Sequence, residues 1–281
     1  MSRQPVLIAQ ISDLHLKRPG ELAYGKVDTG AALRRCVAHL NGFRPRPSIV
    51  VISGDLVDTP HPDEYLHLIE LVAPLEIPFA AVPGNHDSRE MLRSALPDQP
   101  YARASGPTDL TINVDGIDLI LLDSSVPTEP YGLLEAESLH WLDDVCASAP
   151  ERPAIVFLHH PPFKAGIWHM DRNNLRNALA LADVLRRHRR VQHVGSGHIH
   201  RSVLTHFADI PTTICPAPNH AVDLDIGADR TPGFAIEPPA FHLHCWFGND
   251  DGGSDSVVTH LVPIGEHEGP YPFFGAAGRL L

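Results

Sequence analysis

The sequence has few cysteines and no long apolar run. Its four cysteines, Cys36, Cys146, Cys215 and Cys245, form no Cys-x-x-Cys pair, which argues for reduced thiols and against a zinc ribbon. The spacing leaves a Cys215–Cys245 bridge open. No apolar stretch approaches the roughly 20 residues of a membrane helix, and the first residues lead into a short predicted strand instead of a signal-peptide core. We therefore expect a cytoplasmic protein without a membrane partner.

Basic residues are also scarce. Lys and Arg total 22 against 34 Asp and Glu, for a formal net charge of -12. Such a surface repels polymer phosphate, so we expect no nucleic-acid partner and disfavour a metal-dependent nuclease, which needs a basic groove. The Gly-x-Ser-x-Gly and Walker motifs are absent from the sequence, which removes the usual serine hydrolases and NTPases.

What the sequence does contain is a regular alternation of strand and helix signals over its first two thirds. With 281 residues and 43% hydrophobic content, the chain can fill one large core. Apolar runs predict strands at 6–11, 49–52, 77–82, 154–158 and 191–194. Helices are predicted at 28–40, with Asp28 as the N-cap, and at 63–72, 135–147 and 174–188. Asp115-Gly116 indicates a hairpin between 111–114 and 117–122, which favours an α/β sandwich over a purely parallel sheet.

Beyond residue 200 the helical signal fades into short β-type runs punctuated by prolines. These runs lie at 202–207, 212–215, 234–236, 241–247 and 256–262. They predict hairpins that close the second sheet or form an edge element for oligomer contacts. We predict a core over 1–200, completing strands and a β-rich cap or oligomerisation element over 201–264, and a loosely ordered tail over 265–281.

Short polar motifs follow the predicted strands. They are Asp13-Leu14-His15, Ser53-Gly54-Asp55, Gly84-Asn85-His86-Asp87, His159-His160 and Gly197-His198-Ile199-His200. Each motif alone has an ordinary explanation, such as a surface turn, a turn cap or a pair of surface histidines. Carboxylate, amide and imidazole groups together suit a pair of divalent metals, however, and five such motifs in order at strand ends predict a binuclear metal hydrolase.

The spacing within the motifs suggests individual roles. Asp13 and His15 are two residues apart, so an extended backbone would point both at one metal. Asp55 is the predicted bridge, because one carboxylate can neutralise two cations. Strand alternation favours His159 over His160 as a ligand, with His160 as its supporting neighbour.

The Asn-His-Asp loop and the other histidines complete the prediction. The neutral amide of Asn85 can bind a metal, which leaves His86 to face the substrate as a hydrogen-bond donor or general acid. Asp87 is predicted to orient an imidazole. The remaining histidines, among them His193 and His244, are assigned mostly to solvent.

This series of motifs resembles the calcineurin-like metallophosphoesterase superfamily over residues 6 to 200. The resemblance implies a four-layer αββα sandwich with a dinuclear centre of Fe, Mn, Co or Zn. It implies that the first metal is held by Asp13, His15, Asp55 and His200, and the second by Asp55, Asn85, His159 and His198.

Within the superfamily, three further segments are similar to bacterial class III cyclic-nucleotide phosphodiesterases and glycerophosphodiesterases. They are Tyr24-Gly25-x-x-Asp28, Asp123-Ser124-Ser125 and His159-His160-Pro161-Pro162. This similarity implies hydrolysis of small phosphodiesters, such as cAMP or glycerophosphodiesters, by metal-bound hydroxide. It also implies a homo-oligomer (dimer or higher) assembled through the β-rich cap. It also makes His220 a candidate substrate contact beside Asn85 and His86, and Lys17 could reach the phosphate.

Other functions stay open at this point. A phosphomonoesterase or protein phosphatase would use the same metal ligands. A noncatalytic scaffold of the same fold is disfavoured, because every predicted ligand position is filled.

Overall fold

The computed structural model describes residues 4–101, 105–227, 231–248 and 256–274. In these residues the strands are β1 Val6–Ile11, β2 Ile49–Ser53, β3 Phe79–Val82, β4 Leu110–Val114, β5 Ile117–Leu122, β6 Ala154–Leu158, β7 Val191–Ser196, β8 Val203–Phe207, β9 Ile210–Ile214, β10 Ala221–Val222, β11 Phe234–Ala235, β12 Ala240–Phe247 and β13 Ser256–Pro263. The helices are α1 Thr29–Gly42, α2 Pro62–Val72, α3 Arg89–Ala95, α4 Ala136–Ser148, α5 Trp168–Asp171 and α6 Ala178–Arg187.

Two mixed sheets form the centre of the molecule. The first has the strand order β13-β12-β1-β2-β3, and the second has the order β4-β5-β6-β7-β9-β8. Helices α1, α2 and α3 pack on the first sheet, and α4 and α6 pack on the second. The inner faces of the two sheets share a third core. The predicted four-layer αββα sandwich is therefore confirmed.

Strand β1 shows why the layers form. All six of its residues are buried. Leu7 and Ala9 join the core beneath α1 and α2, whereas Val6 and Ile8 join the core between the sheets. A strand alternates its side chains between the two faces, so a strand covered on both faces requires a nearly continuous apolar run, which in β1 is interrupted only by Gln10.

The four predicted helices correspond to α1, α2, α4 and α6 and differ clearly only at the start of α6, whereas the short helices α3 and α5 were not predicted. The Asp28 side chain accepts from the Ala31 N–H at 2.7 Å and caps α1 as expected. The fourth predicted helix begins at Ala178 instead of residue 174, because the backbone N–H groups of Leu175 and Arg176 bond to the carbonyls of Pro161 and Gly132. No helix among the described residues combines the length and hydropathy needed to cross a bilayer.

The strands after residue 200 serve both sheets. Strands β8 and β9 extend the second sheet beyond β7, as predicted. Strands β12 and β13 instead extend the first sheet, with β12 antiparallel to β1. The prediction that the later hairpins close the second sheet is thus wrong for this pair, whereas β10 and β11 form a separate two-stranded ribbon. Residues 265–274 of the predicted tail are exposed, and residues 275–281 lie outside the described ranges.

One prediction about buried groups is confirmed and one needs correction. All four cysteines are buried and unbridged, as the prediction of reduced thiols requires, and the open alternative of a Cys215–Cys245 bridge is not realised. His193, His242 and His244 are buried instead of facing solvent. His193 lies on β7 and His244 on β12, and their ring centroids are 4.8 Å apart. These two rings therefore meet between the sheets, where polar partners replace water.

Candidate metal centre

The predicted motifs come together because their strands are parallel. β1, β2 and β3 run parallel in the first sheet, as do β6 and β7 in the second. Carboxyl ends of parallel strands meet at one edge of a sheet, and the loops leaving them can converge. The side chains that the structure gathers there are Asp13, His15, Asp55, Asn85, His159, His198 and His200.

The backbone of these loops is not extended as we had expected. Asp13 and His15 have φ of 58° and 42°, in the left-handed region. Asp55, His198 and His200 share this conformation, with φ of 52°, 73° and 55°. The argument from strand alternation is therefore wrong for the Asp13 and His15 pair. Both side chains reach the same cluster through a left-handed turn, a conformation that concentrates at functional sites.

The first cluster consists of Asp13, His15 and His200, whose ligand atoms all lie within 4.8 Å of one another. The Nε2 atoms of His15 and His200 are 3.1 Å apart, and His200 Nε2 is 3.4 Å from Asp13 Oδ1. All three residues are buried. Two imidazole nitrogens and a carboxylate oxygen that converge in this way form a donor set suited to a transition metal.

Asp55 lies between this cluster and a second one. Its Oδ2 is 3.5 Å from His15 Nε2 and 3.3 Å from His159 Nε2. His159 Nε2 is also 3.2 Å from the amide oxygen of Asn85. A carboxylate placed between histidines of two clusters has the position that a bridging ligand needs.

His198 completes the second cluster. Its ring centroid is 5.2 Å from that of His159, and its backbone N–H donates to both carboxylate oxygens of Asp13, at 3.0 and 3.1 Å. The Nε2 atom of His198 is buried and has no hydrogen-bond partner among the described residues. An unpartnered buried nitrogen in such a donor set fits an ion that completes its coordination.

The electrostatics of the site also fit bound cations. Burial, together with the charge of Asp55, raises the pKa of Asp13 to about 6. Burial opposes ionisation of Asp55 as well, but His159 and His86 outweigh it and hold the pKa of Asp55 well below its ordinary value. Burial lowers and Asp55 raises the pKa of His159, with a net rise to about 9. In the protein alone, protonated histidine thus supplies positive charge that two cations would supply in the loaded site.

Two glycines allow these loops to approach closely. Gly54 has φ of 97°, and a Cβ there would meet the imidazole of His159. A Cβ on Gly84 would meet the carboxylate of Asp55. A side chain at either position would therefore displace a predicted ligand.

Further groups fix which imidazole nitrogen faces the centre. Asp58 Oδ1 is 3.1 Å from His15 Nδ1, and the Ser53 carbonyl is 2.9 Å from His159 Nδ1. With these N–H groups donated outward, the Nε2 atoms carry the free lone pairs. The sequence reasoning missed Asp58, because no local pattern links it to His15, 43 residues away.

Asp87 does not orient an imidazole. Its carboxylate accepts from the backbone N–H groups of Leu56, Val57 and Gly84, at 3.1, 3.2 and 2.8 Å. Asp87 therefore ties the loop after β3 to the loop after β2. It positions Asp55 through the backbone, which corrects the prediction.

The predicted metal ligands border a cavity of about 510 Å³. Beside the ligands, its lining includes His86, His220, Tyr24, Phe234, His169 and Asn173. His86 Nδ1 donates to the Asp58 carbonyl at 2.7 Å, and its backbone N–H donates to Asp55 Oδ1 at 2.9 Å. His220 packs against His200 with ring centroids 4.6 Å apart. The structure thus gathers Asn85, His86 and His220, three of the four predicted substrate contacts, around one cavity.

Lys17, the fourth predicted contact, lies elsewhere. Its Nζ is 3.0 Å from Asp58 Oδ2 and 3.4 Å from Glu64 Oε1, and it is not part of the cavity lining. Lys17 neutralises the carboxylate that holds His15. His160, the predicted neighbour of His159, bonds through Nδ1 to Ser124 Oγ at 2.8 Å.

The chain has clear relatives. Residues 6–202 match the calcineurin-like phosphoesterase family. The chain is 37% identical over 277 residues to a probable glycerophosphodiester phosphodiesterase of Arcobacter nitrofigilis, covering 98% of this chain and 100% of the relative. It is 33% identical over 270 residues to a cAMP/cGMP dual specificity phosphodiesterase of Mycobacterium tuberculosis, covering 95% and 82%.

A solved structure supports the same fold. A dimetal phosphatase from Danio rerio superposes with a TM-score of 0.62 at 15% identity, covering 93% of this chain and 100% of that one. The family match spans all seven predicted ligands, from Asp13 to His200. The chain therefore belongs to the calcineurin-like phosphoesterase family, as the motifs predicted.

Proposed function

We propose that this protein is a metal-dependent phosphodiesterase that hydrolyses small phosphodiesters. The observation that carries the proposal is the buried set of oxygen and nitrogen donors, with Asp55 between its two halves, at the floor of a cavity of about 510 Å³. Relatives that match nearly the whole chain are named as a glycerophosphodiester phosphodiesterase and a cAMP/cGMP phosphodiesterase. Both substrate classes are therefore within the proposal.

Two transition metals, drawn from Fe, Mn, Co and Zn, are the proposed cofactors. The first would be held by Asp13, His15, Asp55 and His200, and the second by Asp55, Asn85, His159 and His198. When bound, such a pair lowers the pKa of a water molecule and neutralises charge on the phosphoryl oxygens.

His86 is the proposed catalytic residue. Its Nδ1 is occupied by the Asp58 carbonyl, so Nε2 is the nitrogen left for the cavity. In the imidazolium form, Nε2 can donate to a phosphoryl oxygen and then protonate the departing alkoxide. Its backbone bond to Asp55 fixes the distance from this nitrogen to the metal ligands.

The charge of the cavity favours a diester over a monoester. Among the described lining residues there is neither lysine nor arginine, and the nearby Lys17 is paired with Asp58 and Glu64. A monoester dianion would call for a further cation, whereas the single charge of a diester can be met by the metals and His86.

Metal analysis and a matched substrate pair test the proposal. We expect about two transition metals per chain after loading with Mn²⁺ or Co²⁺. The loaded protein should hydrolyse bis(p-nitrophenyl) phosphate with a higher kcat/KM than p-nitrophenyl phosphate. The reverse order would favour the monoesterase alternative. Loss of both activities in metal-loaded protein would leave only the scaffold alternative.

We also propose that the chain forms a homo-oligomer through the region after residue 200. Leu224, Ile226 and Ile236 lie next to the β10–β11 ribbon and are 55%, 73% and 69% exposed. Exposed apolar side chains beside both ends of the ribbon favour contact with another protein surface, here a second copy. Light scattering after gel filtration should give a dimer or larger species, and replacing all three residues by serine should lower the mass. A monomeric wild-type protein would contradict the proposal.

Residues 201–264 also contain the proposed cap. The proposed cellular location and the absence of a nucleic-acid partner follow from the cysteines and the charge. The four buried, reduced cysteines suit a cytoplasmic location. The net charge of -12 speaks against a nucleic-acid partner.

A further inference from the structure

Two aromatic rings at the cavity have no part in the chemistry proposed above. Tyr24 and Phe234 are tilted by only 30° from parallel, with ring centroids 4.8 Å apart. His220 packs edge-on against both, at 5.3 and 5.5 Å. The three side chains all line the cavity of the candidate metal centre. We refer to Tyr24 and Phe234 as the aromatic pair.

The aromatic pair is held from two separate parts of the chain. Tyr24 lies in a turn closed by the Ala23 N–H, which donates to the Val27 carbonyl at 2.9 Å, and its φ is 51°. A left-handed tyrosine is an uncommon conformation that must be maintained by its surroundings. Phe234 lies on β11 and is paired with Val222 of β10.

The ribbon that carries Phe234 is anchored to the metal-ligand loop. Arg201, which follows His200 directly, donates through Nη1 to the Val222 carbonyl at 2.7 Å. The same guanidinium pairs with Glu237 on the far side of the ribbon, at 2.8 Å. Phe234 therefore has a fixed position relative to the predicted ligands, as a specificity group requires.

The aromatic pair is one ring away from the metal ligands. His220 touches it on one side and packs against His200 and His15 on the other, with ring centroids 4.6 and 5.8 Å apart. A phosphodiester held at the ligands would thus extend its ester group past His220 toward Tyr24 and Phe234. In a nucleoside phosphodiester, the sugar would lie beside His220, and the base attached to it would reach Tyr24 and Phe234.

The exposure of the pair points to a ligand with a flat apolar face. Tyr24 is 56% exposed although it lines a cavity. An aromatic face left open beside polar side chains gains stabilisation when a second planar ring covers it. Asn173 and His169 line the same cavity and can bond to the polar edge of such a ring.

We propose that Tyr24 and Phe234 form a base-stacking subsite, and that the preferred substrates are phosphodiesters of nucleosides. This inference rests on the proposed diesterase function. Glycerophosphodiesters lack a planar group and would leave the aromatic pair uncovered, so they would be the poorer substrates.

Two esters with the same leaving group measure the contribution of the nucleoside, and variants of the aromatic pair then isolate that of the base. In p-nitrophenyl thymidine 5′-phosphate and ethyl p-nitrophenyl phosphate, water displaces p-nitrophenolate from phosphorus, and only the first ester carries a base. Metal-loaded wild-type protein should show a higher kcat/KM for the thymidine ester. Phe234→Leu and Tyr24→Leu should each lower that kcat/KM by about 5- to 100-fold, the range expected for loss of a base-stacking contact. The ethyl ester should be affected by less than about twofold.

Control variants separate stacking from structure. Tyr24→Phe keeps the ring and should keep the preference for the thymidine ester. Phe247→Leu removes an exposed phenylalanine outside the cavity lining and should change neither substrate. The ratio of the two kcat/KM values within one variant does not depend on the active fraction, so partial misfolding cannot imitate the expected result.

The possible failures are distinguishable. If neither ester is hydrolysed, the proposed function itself fails. If both are hydrolysed with equal kcat/KM in the wild type, or if Phe234→Leu lowers both alike, the diesterase proposal stands and the base-stacking subsite is overturned.

Discussion

At the scale of single residues, the site depends on side chains that use one nitrogen or oxygen for the protein and leave the other for the cavity. His86 gives Nδ1 to the Asp58 carbonyl, and His15 gives Nδ1 to the Asp58 carboxylate. Asp58 thus orients two imidazoles from one position. Its remaining oxygen pairs with Lys17, which keeps the carboxylate ionised. Burial opposes this ionisation, but His15 and Lys17 lower the pKa of Asp58 to about 2.

Replacing His86 should separate catalysis from metal binding. In His86→Ala we expect kcat for cAMP, whose leaving group is an alkoxide that needs a proton, to fall by about 10²- to 10⁴-fold, the range for loss of a general acid. The metal content should stay near that of the wild type, because His86 is not a proposed ligand. Elemental analysis and steady-state kinetics on the same sample measure both. Full turnover in a metal-loaded variant would refute the role of His86.

Replacing Asp58 should mainly change metal binding. Without its carboxylate, His15 loses the partner that fixes its tautomer, so Asp58→Ala should weaken metal binding by about 10- to 100-fold. Titration of metal-free protein with Zn²⁺ or Co²⁺ measures this directly. Asp183→Asn, which changes an exposed carboxylate on α6, is the matched control. Equal metal affinity in Asp58→Ala and wild type would contradict the proposed role.

Residue types could be predicted here better than conformations. The chemistry of carboxylate, amide and imidazole groups at strand ends led to all seven proposed ligands, which the structure brings together. The left-handed backbone of Asp13 and His15 could not be predicted, because neither residue is glycine and the conformation depends on contacts with distant loops. Asp58 was missed for a similar reason, since its partner His15 is 43 residues away.

At the scale of elements, loops are held by side chains that replace secondary structure. Asn177 bonds in both directions to the peptide of Leu134: its Nδ2 donates to the carbonyl at 2.8 Å, and its Oδ1 accepts from the N–H at 3.0 Å. Leu134 is buried, so water cannot take over these bonds. These two hydrogen bonds hold the loop before α4 against the start of α6. It helps to explain why that helix begins later than its apolar periodicity predicts.

Removing the two hydrogen bonds of Asn177 should lower the free energy of unfolding more than removing the same kind of contact at the surface. Asn177→Ala should lower the free energy of unfolding by about 1–3 kcal/mol, because buried peptide groups are left without partners. Asn41 makes the same two-way contact with Pro74 and Glu76 at the surface. Asn41→Ala should therefore cost less, about 0.5–1 kcal/mol. Urea unfolding of both variants compares them, and equal losses would contradict the assignment.

At the scale of the whole molecule, the two sheets share polar as well as apolar contacts. His193 of β7 donates to or accepts from Thr213 Oγ1 at 2.9 Å, and His244 of β12 is 3.0 Å from Gln10 Oε1. Burial, reinforced by the neighbouring His242, lowers the pKa of His193 to about 3. Burial likewise lowers the pKa of His242 to about 4. These rings are therefore held neutral inside the sandwich.

The neutral histidines should make the fold sensitive to acid. Above the ordinary histidine pKa of about 6.5, His193 is neutral in both the folded and the unfolded chain and adds no pH dependence. As the pH falls below about 6.5, the unfolded chain takes up a proton that the folded chain does not accept until about pH 3. The free energy of unfolding should thus decrease with falling pH, by about 1.4 kcal/mol per pH unit for this residue.

A comparison of variants isolates this contribution from that of the metal centre. Between pH 7.5 and 5, His193→Gln should lose about 2 kcal/mol less stability than the wild type. His206→Gln, at an exposed position on β8, should follow the wild type. Urea unfolding at several pH values measures the difference. Parallel pH profiles for His193→Gln and wild type would show that the ring is protonated in the folded state.

The order of strands in the sheets marks the limit of sequence reasoning at this scale. The apolar run at 6–11 predicted a strand but not its neighbours, and the structure pairs β1 with β2 on one side. The other neighbour, β12, begins more than 200 residues later, at Ala240. Nothing local in β12 distinguishes pairing with β1 from pairing within the second sheet, because both require the same alternation of side chains. The hairpin of β4 and β5, closed by Asp115 and Gly116, was predictable because its signal is local.

The left-handed backbone at the proposed ligands lowers the stability of the fold at the positions on which activity depends. Such a conformation costs of order 1 kcal/mol or more for a residue with a side chain and almost nothing for glycine. Replacing Asp13 or His200 by glycine would thus remove this conformational cost. It would also remove a buried carboxylate or a buried imidazole. Selection for thermal stability alone would therefore be expected to remove these ligands first. A more heat-stable descendant of this protein could keep its fold and its cavity and no longer hold the proposed metals.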